Sequence, residues 1–126
     1  MAKSYRLVAR EYGMFNGWIV MRMWMVNPEI LCRKHLLGEH VELHMLVGCI
    51  IKGKSIQGYL DTGLVETGSI YRRHNELTKE IKRRGYNHKS PLEITEKVYP
   101  ARGKVNIKKS LEDLSNRCKE CVFNEI

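Results

Sequence analysis

The strongest constraint on how this chain folds lies between Asn27 and Gly53, where apolar residues recur at helical spacing behind a proline. Wound as an α-helix from about Pro28 to Lys52, it brings Leu36, Leu43, Leu46, Val47 and Ile50 into one stripe roughly 100° wide, the face such a helix buries. Asn27 supplies an N-cap, Pro28 suits the first turn and Gly53 stops the helix. His35, Glu39 and Glu42 gather within about 60° of arc at the edge of that stripe. Two carboxylates and an imidazole then border the core, where loss of water shifts pKa values. The same spacing also describes a polar helix edge standing in solvent.

Two shorter helices follow from the same periodicity. Ile70, His74, Leu77 and Ile81 define a helix over about Ser69 to Arg84, with Gly85 at the C-cap position. Ile107, Leu111, Leu114, Cys118 and Cys121 or Val122 define a third, from Ile107 to about Val122. Between them, Lys54 to Gly68 carries Gly58, Gly63 and Gly68 and is expected to be a loop. Tyr86 to Pro91 makes a polar turn, and Glu93 to Asn106 is irregular. Met21 to Val26 is a short apolar run that enters the first helix. Residues 1–20 are interrupted by Gly13 and Gly17 and are expected to be an appendage rather than part of the domain. The fold class is therefore all-α: a compact single domain over residues 21–126, with three main helices and long basic loops.

Charge narrows the partner. Lys and Arg total 22 against 14 Asp and Glu, a net charge of +8, and a chain this basic commonly meets nucleic acid or another anionic surface. Simple colloidal charge is the plainer reading. No run approaches the roughly 18 apolar residues of a membrane span, and the opening residues do not make a signal peptide. The four cysteines are not spaced as a small disulfide scaffold and the six methionines suit a reducing compartment, so the expected location is the cytoplasm.

Met21 to Gly48, MRMWMVNPEILCRKHLLGEHVELHMLVG, followed by Tyr71 to Leu92, YRRHNELTKEIKRRGYNHKSPL, resembles the pyrimidine-dimer DNA glycosylase family. The resemblance rests on the MRxW-like start, on His-Leu followed at fixed spacing by Glu and Glu-Leu on one helix, and on the RRGYN-like helix end. It implies an all-α DNA repair enzyme that needs no cofactor, cuts the N-glycosidic bond of the 5′ pyrimidine of a cyclobutane dimer, and then nicks the strand by β-elimination. It implies a nucleophilic N-terminal α-amine, here that of Met21, attacking C1′ to form an imine, with Glu42 as the essential carboxylate. His35 and Glu39 match neighbouring family positions at the lesion, and Arg22 matches a family Arg that holds a phosphate. The expected partner is damaged double-stranded DNA, bound by a monomer, with a base opposite the dimer displaced from the stack.

Elementary chemistry supports that scheme. An α-amine near pKa 8 is a few-hundredfold richer in its unprotonated form at neutral pH than a lysine near 10.4. A carboxylate at an apolar border suits stabilising the positive charge that grows on the sugar and moving protons during elimination. Arg33, Lys34, Arg72, Arg73, Arg83, Arg84, Lys89 and Lys104 are candidates for a phosphate track, which makes binding salt-dependent.

Three departures matter. An internal Met21 has an amide, so the imine mechanism requires that the chain start at Met21, that the extension be removed, or that another amine serve. The first is the favoured expectation, and Met1, Ala2 and Lys34 are the substitutes. Val41 stands where the family often has Arg. The ending Arg117 to Phe123 lacks an aromatic, lysine-rich tail, which leaves other damaged pyrimidines open as substrates. A second class of function, a basic helical DNA-binding protein without chemistry, fits the same scaffold.

The expectation for metals is none. Cys32-x-x-His35 and Cys118-x-x-Cys121 have zinc-like local spacing, but Cys32 and Cys118 also fit the apolar sides of their helices, where small thiols are buried. His40 and His44 with Glu39 match neither the HExxH motif nor its inverse.

Overall fold

Asn27 and Pro28 open the fold as the sequence leads one to expect, and the helix they open then stops. In the computed structural model, which describes residues 21–86 and 101–121 and the backbone of Met14–Phe15 and Trp18–Ile19, the Asn27 side chain accepts from the Glu29 amide at 3.0 Å. It caps a single 3-10 turn, Pro28–Ile30. Leu31 and Cys32 are extended, and the long helix begins anew as α1, Arg33–Ile51. The break has a tertiary cause. The Arg84 guanidinium donates to the carbonyls of Pro28, Glu29 and Leu31, at 3.1, 3.3 and 2.7 Å. Those carbonyls are satisfied from outside rather than by a continuing helix.

Among the described residues three further helices follow: α2, Gln57–Asp61, α3, Ile70–Arg83, and α4, Ile107–Arg117. The fold is all-α. The stretch expected to be a plain loop contains α2 and a 3-10 turn at Thr67–Ser69. No helix among the described residues is long and apolar enough to cross a membrane. Within residues 1–20 the described backbone makes a two-residue antiparallel pairing of β1, Met14–Phe15, with β2, Trp18–Ile19, in the register Met14 to Ile19 and Phe15 to Trp18. The sequence between the paired positions is Asn16-Gly17, the dipeptide that two-residue hairpin loops favour. Reading residues 1–20 as an appendage makes no use of that local signal.

The helix ends obey their glycines. Gly53 (φ 71°) and Gly85 (φ 83°) take the left-handed conformation. They bond Gly53 N to Ile50 O and Lys54 N to Cys49 O after α1, and Gly85 N to Lys82 O and Tyr86 N to Ile81 O after α3. Both are Schellman closures. α4 is capped by the Asn106 side chain, which accepts from Lys109 N at 3.0 Å. It ends at Arg117 instead of Val122 because Cys118 is extended.

The core lies where α1 meets α3. Leu36, Leu43, Leu46 and Val47 of α1 are buried against Ile70, Leu77 and Ile81 of α3, and Met21, Met23, Trp24 and Val26 fill the third side. Ile50 is half-buried and packs at the edge of the core, whereas Ile107 is exposed and drops out of its expected stripe. Residues 101–106 run beside residues 63–67, through Thr67 N to Arg102 O at 2.9 Å and Asn106 N to Gly63 O at 3.2 Å.

An ion pair crosses this core. Arg73 on α3 grips Glu39 on α1 through two bonds, Nε to Oε2 at 2.6 Å and Nη2 to Oε1 at 2.8 Å, and both residues are wholly buried. Arg73 Nη1 also donates to Val26 O at 2.7 Å and to Glu76 at 3.1 Å. Burial works against the Arg73 charge, but Glu39 and Glu76 outweigh it and hold its pKa above the ordinary arginine value. One residue thus joins α1, α3 and the entering segment. Removing either partner alone leaves an uncompensated buried charge, so Glu39→Leu and Arg73→Met are each expected to cost about 3–5 kcal/mol in urea unfolding. The double variant is expected to lose less than the two single losses combined, and additive losses would show the pair to be uncoupled.

Candidate active site

Met21 to Val26 is laid against α1 by its own apolar residues. The Met21 and Met23 side chains are buried, and Met23 N donates to Leu64 O at 2.8 Å. That alignment carries Arg22 N to Glu42 Oε1, at 3.0 Å. The nitrogen of residue 21, one position upstream, is therefore held within roughly 7 Å of the Glu42 carboxylate.

Glu42 is 5% exposed. Burial pushes its pKa well above the ordinary glutamate value, opposed by the Arg22 amide and reinforced by the Glu39 charge. A carboxyl so placed exchanges a proton at higher pH than a surface glutamate does.

Arg22 is buried as well. Its guanidinium lies 3.7 Å from the Trp24 ring centroid, pairs with Asp113 of α4 at 3.0 Å and reaches Ser110 Oγ at 3.5 Å. Burial lowers its pKa, against the opposing pull of Asp113. Its Nε is buried with no hydrogen-bond partner. Enclosed in this way, the Nε is a buried polar group left without its hydrogen bond.

The expected cluster of His35, Glu39 and Glu42 is divided among different partners. Glu39 lies inside the core on Arg73, not at a polar edge. His35 turns Nδ1 to Cys32 Sγ at 3.2 Å and to Cys121 Sγ at 3.6 Å, with its ring edge-on to Trp24 at 5.6 Å. It stands two helical turns from Glu42, about 10 Å along the axis. His40 and His74 meet through their Nε2 atoms at 3.1 Å, with His44 stacked close by.

The basic residues separate by exposure. Arg33, Lys34, Arg72, Arg83 and Lys104 are exposed. Arg33 lies 5.4 Å from the Tyr86 ring centroid, and Arg72 pairs with Glu76 at 3.1 Å. Arg83 and Arg84 both hold Glu80, each at 2.6 Å, and the Arg83 bond leads in lowering its pKa against burial. Arg73 is enclosed and all three of its nitrogens are engaged within the fold, so it presents no donor at the surface. Lys89 lies outside the described residues. Sequence reading missed Asp113 and Ser110 as partners of Arg22, and no local pattern marks them across so long a separation.

A family model described as pyrimidine dimer DNA glycosylase matches residues 21–94, more than half of the chain, and the match begins at Met21. Comparison with curated proteins and with solved structures finds no match.

The raised Glu42 pKa fixes a sign. A carboxyl whose folded pKa lies above its unfolded value near 4.3 loses stability as pH rises through that window, at up to about 1.4 kcal/mol per pH unit. Glu42→Gln keeps an oxygen for the Arg22 amide and carries no charge. The variant is expected to melt higher than the parent at pH 7 and alike below pH 4, measured by calorimetry. An equal or lower melting point at pH 7 would show that Glu42 is not destabilised by its burial.

Proposed function

This chain belongs to the pyrimidine dimer DNA glycosylase family and is a DNA repair glycosylase, and from that premise we propose that it also nicks the strand, through an imine formed with the α-amine of residue 21. The single observation that carries the reading is the 3.0 Å bond from Arg22 N to Glu42 Oε1, which keeps the residue 21 nitrogen beside a buried carboxyl. The beginning of the family match at Met21 supports the same residue as the working N-terminus.

In the first step the neutral amine attacks C1′ of the damaged nucleotide and the bond from C1′ to the pyrimidine nitrogen breaks; the electron pair leaves with the base, which takes up the proton that the attacking nitrogen sheds. Glu42, which holds its proton unusually well, donates it to O4′ as the sugar ring opens to the protonated imine. The resulting carboxylate offsets the new positive charge. It is then placed to accept the C2′ proton, whereupon the bond from C3′ to the phosphate oxygen breaks. Water hydrolyses the imine and restores the amine.

Arg22 is read as a positive charge next to that centre, acting through its field rather than through a surface donor, since its guanidinium is enclosed and its Nη atoms are engaged by Asp113 and Ser110. Arg33 and Lys34 at the start of α1, with Arg72, Arg83 and Lys104, are read as the sequence-independent track along damaged duplex DNA. Glu39, Arg73 and Arg84 are read as scaffold, since their polar atoms are engaged in the fold. Reaching C1′ within a stacked duplex requires local unstacking, and a dimer lowers its cost.

Incubating dimer-containing duplex with protein begun at Met1 and with protein begun at Met21, then reducing with borohydride, tests the reading. The Met21 form is expected to crosslink and the Met1 form to fail. Crosslinking by both at another amine, located by peptide mapping, or by neither with no strand cutting, would overturn the imine assignment and favour a binding protein. Lys34→Ala is expected to reduce the slope of log affinity against log salt by about one. By contrast, Arg84→Ala is expected to leave that slope unchanged and to lower stability by about 1–3 kcal/mol. Fluorescence anisotropy and urea unfolding read the two effects.

A further inference from the structure

Cys32 and His35 stand at the start of α1, and Cys118 and Cys121 follow α4, yet all four ligand atoms lie within 4.8 Å of one another. We propose that this quartet binds one zinc ion in a closed tetrahedral Cys3His site that fastens the C-terminal segment to the N-terminus of α1. With zinc to sulfur near 2.3 Å and zinc to nitrogen near 2.05 Å, a regular tetrahedron has edges of about 3.8 Å between sulfurs and about 3.5 Å between sulfur and nitrogen. Cys32 Sγ to Cys118 Sγ is 3.7 Å, Cys121 Sγ to His35 Nδ1 is 3.6 Å and Cys32 Sγ to His35 Nδ1 is 3.2 Å. At 3.7 Å the sulfurs of Cys32 and Cys118 are not bonded to each other, and all four cysteines of the chain are free thiols.

The backbone is arranged around this cluster. α4 ends early because Cys118 is extended, which lets Cys118 and Cys121 turn back on α1. Cys32 occupies the N-cap position of α1 but makes no side-chain cap bond. Its thiol points to the quartet instead, and its amide donates to Cys121 Sγ at 3.3 Å, the contact that a metal-bound thiolate accepts. Three thiolates and one neutral imidazole around Zn2+ carry a net charge of −1, and Lys34, Arg117 and Arg22 lie close enough to act on His35. Binding releases the three thiol protons to solvent.

Four protein donors leave no open position, so the ion is structural rather than reactive. Its effect reaches the reacting centre through α4. Of that helix only Ser110 and Leu114 are buried, and the clip holds its Asp113 and Ser110 against Arg22. The trio His40, His44 and His74 is equally close-set. It offers nitrogen alone, whereas the quartet offers the thiolates that zinc favours.

The test is the metal content and cobalt spectrum of the full chain purified under reducing conditions. One zinc per chain is expected. Exchange for Co2+ is expected to give the intense visible bands of a tetrahedral site together with a near-ultraviolet sulfur-to-cobalt charge-transfer band. Cys118→Ser with Cys121→Ser is expected to lose both metal and bands, while Cys49→Ser keeps them. A chain that takes up neither ion overturns the proposal. Zinc retained in the double cysteine variant overturns it too and places the ion on the histidines. If the double variant does not fold, the parent's charge-transfer band decides, because only sulfur ligands produce it. None of these readouts depends on glycosylase activity.

Discussion

The buried pair of Arg73 and Glu39 is the contact on which the rest of this structure depends. It ties α1 to α3, and through the Val26 carbonyl it also fixes the segment that carries residues 21–26. In that segment Met25 has a φ of 58°, in the left-handed region that side chains other than glycine avoid. The cost is on the order of 1–2 kcal/mol. Met25 is held between Trp24, buried under Arg22, and Val26, bonded to Arg73. Packing on both sides over-determines the strained residue.

The same pair reaches the chemistry. Its carboxylate is one turn of α1 from Glu42 and adds to the burial that raises the Glu42 pKa. A carboxyl with a raised pKa, the Arg22 amide bonded to it and a buried guanidinium then meet on one face of α1. Each is positioned by something remote: Glu42 by the core, residue 21 by Met23 and Leu64, and Arg22 by Asp113 of α4. The family match ends at residue 94, before α4 begins, so the part of the chain that steadies Arg22 lies beyond the matched region.

What the sequence disclosed was what depends on neighbours three or four residues away. The stripes Leu36, Leu43, Leu46 and Ile70, His74, Leu77, Ile81 are buried as their period requires, and Gly53 and Gly85 close their helices. What it concealed depends on distant partners. The break at Leu31 and Cys32 is held by Arg84 across more than fifty residues, and nothing near Pro28 announces it. Glu39 reads as a polar edge until Arg73 is brought to it. Arg72 and Arg73 are adjacent in the basic run, and only the fold sends one to solvent and the other into the core. Asn16-Gly17 was a local signal that went unread. The two cysteine-containing pairs were each visible, but only the fold joins them.

The central claim is that the fold raises the Glu42 pKa by burying the carboxyl beside residue 21. The most direct measurement is a carbon-13 NMR titration of the Glu42 carboxyl in the intact protein. Under this account its resonance moves at a pH well above the ordinary glutamate value near 4.3, and Glu39→Gln, in a folded variant, shifts the midpoint downward by removing a nearby negative charge. A Glu42 carboxyl that titrates in the ordinary glutamate range would contradict the account.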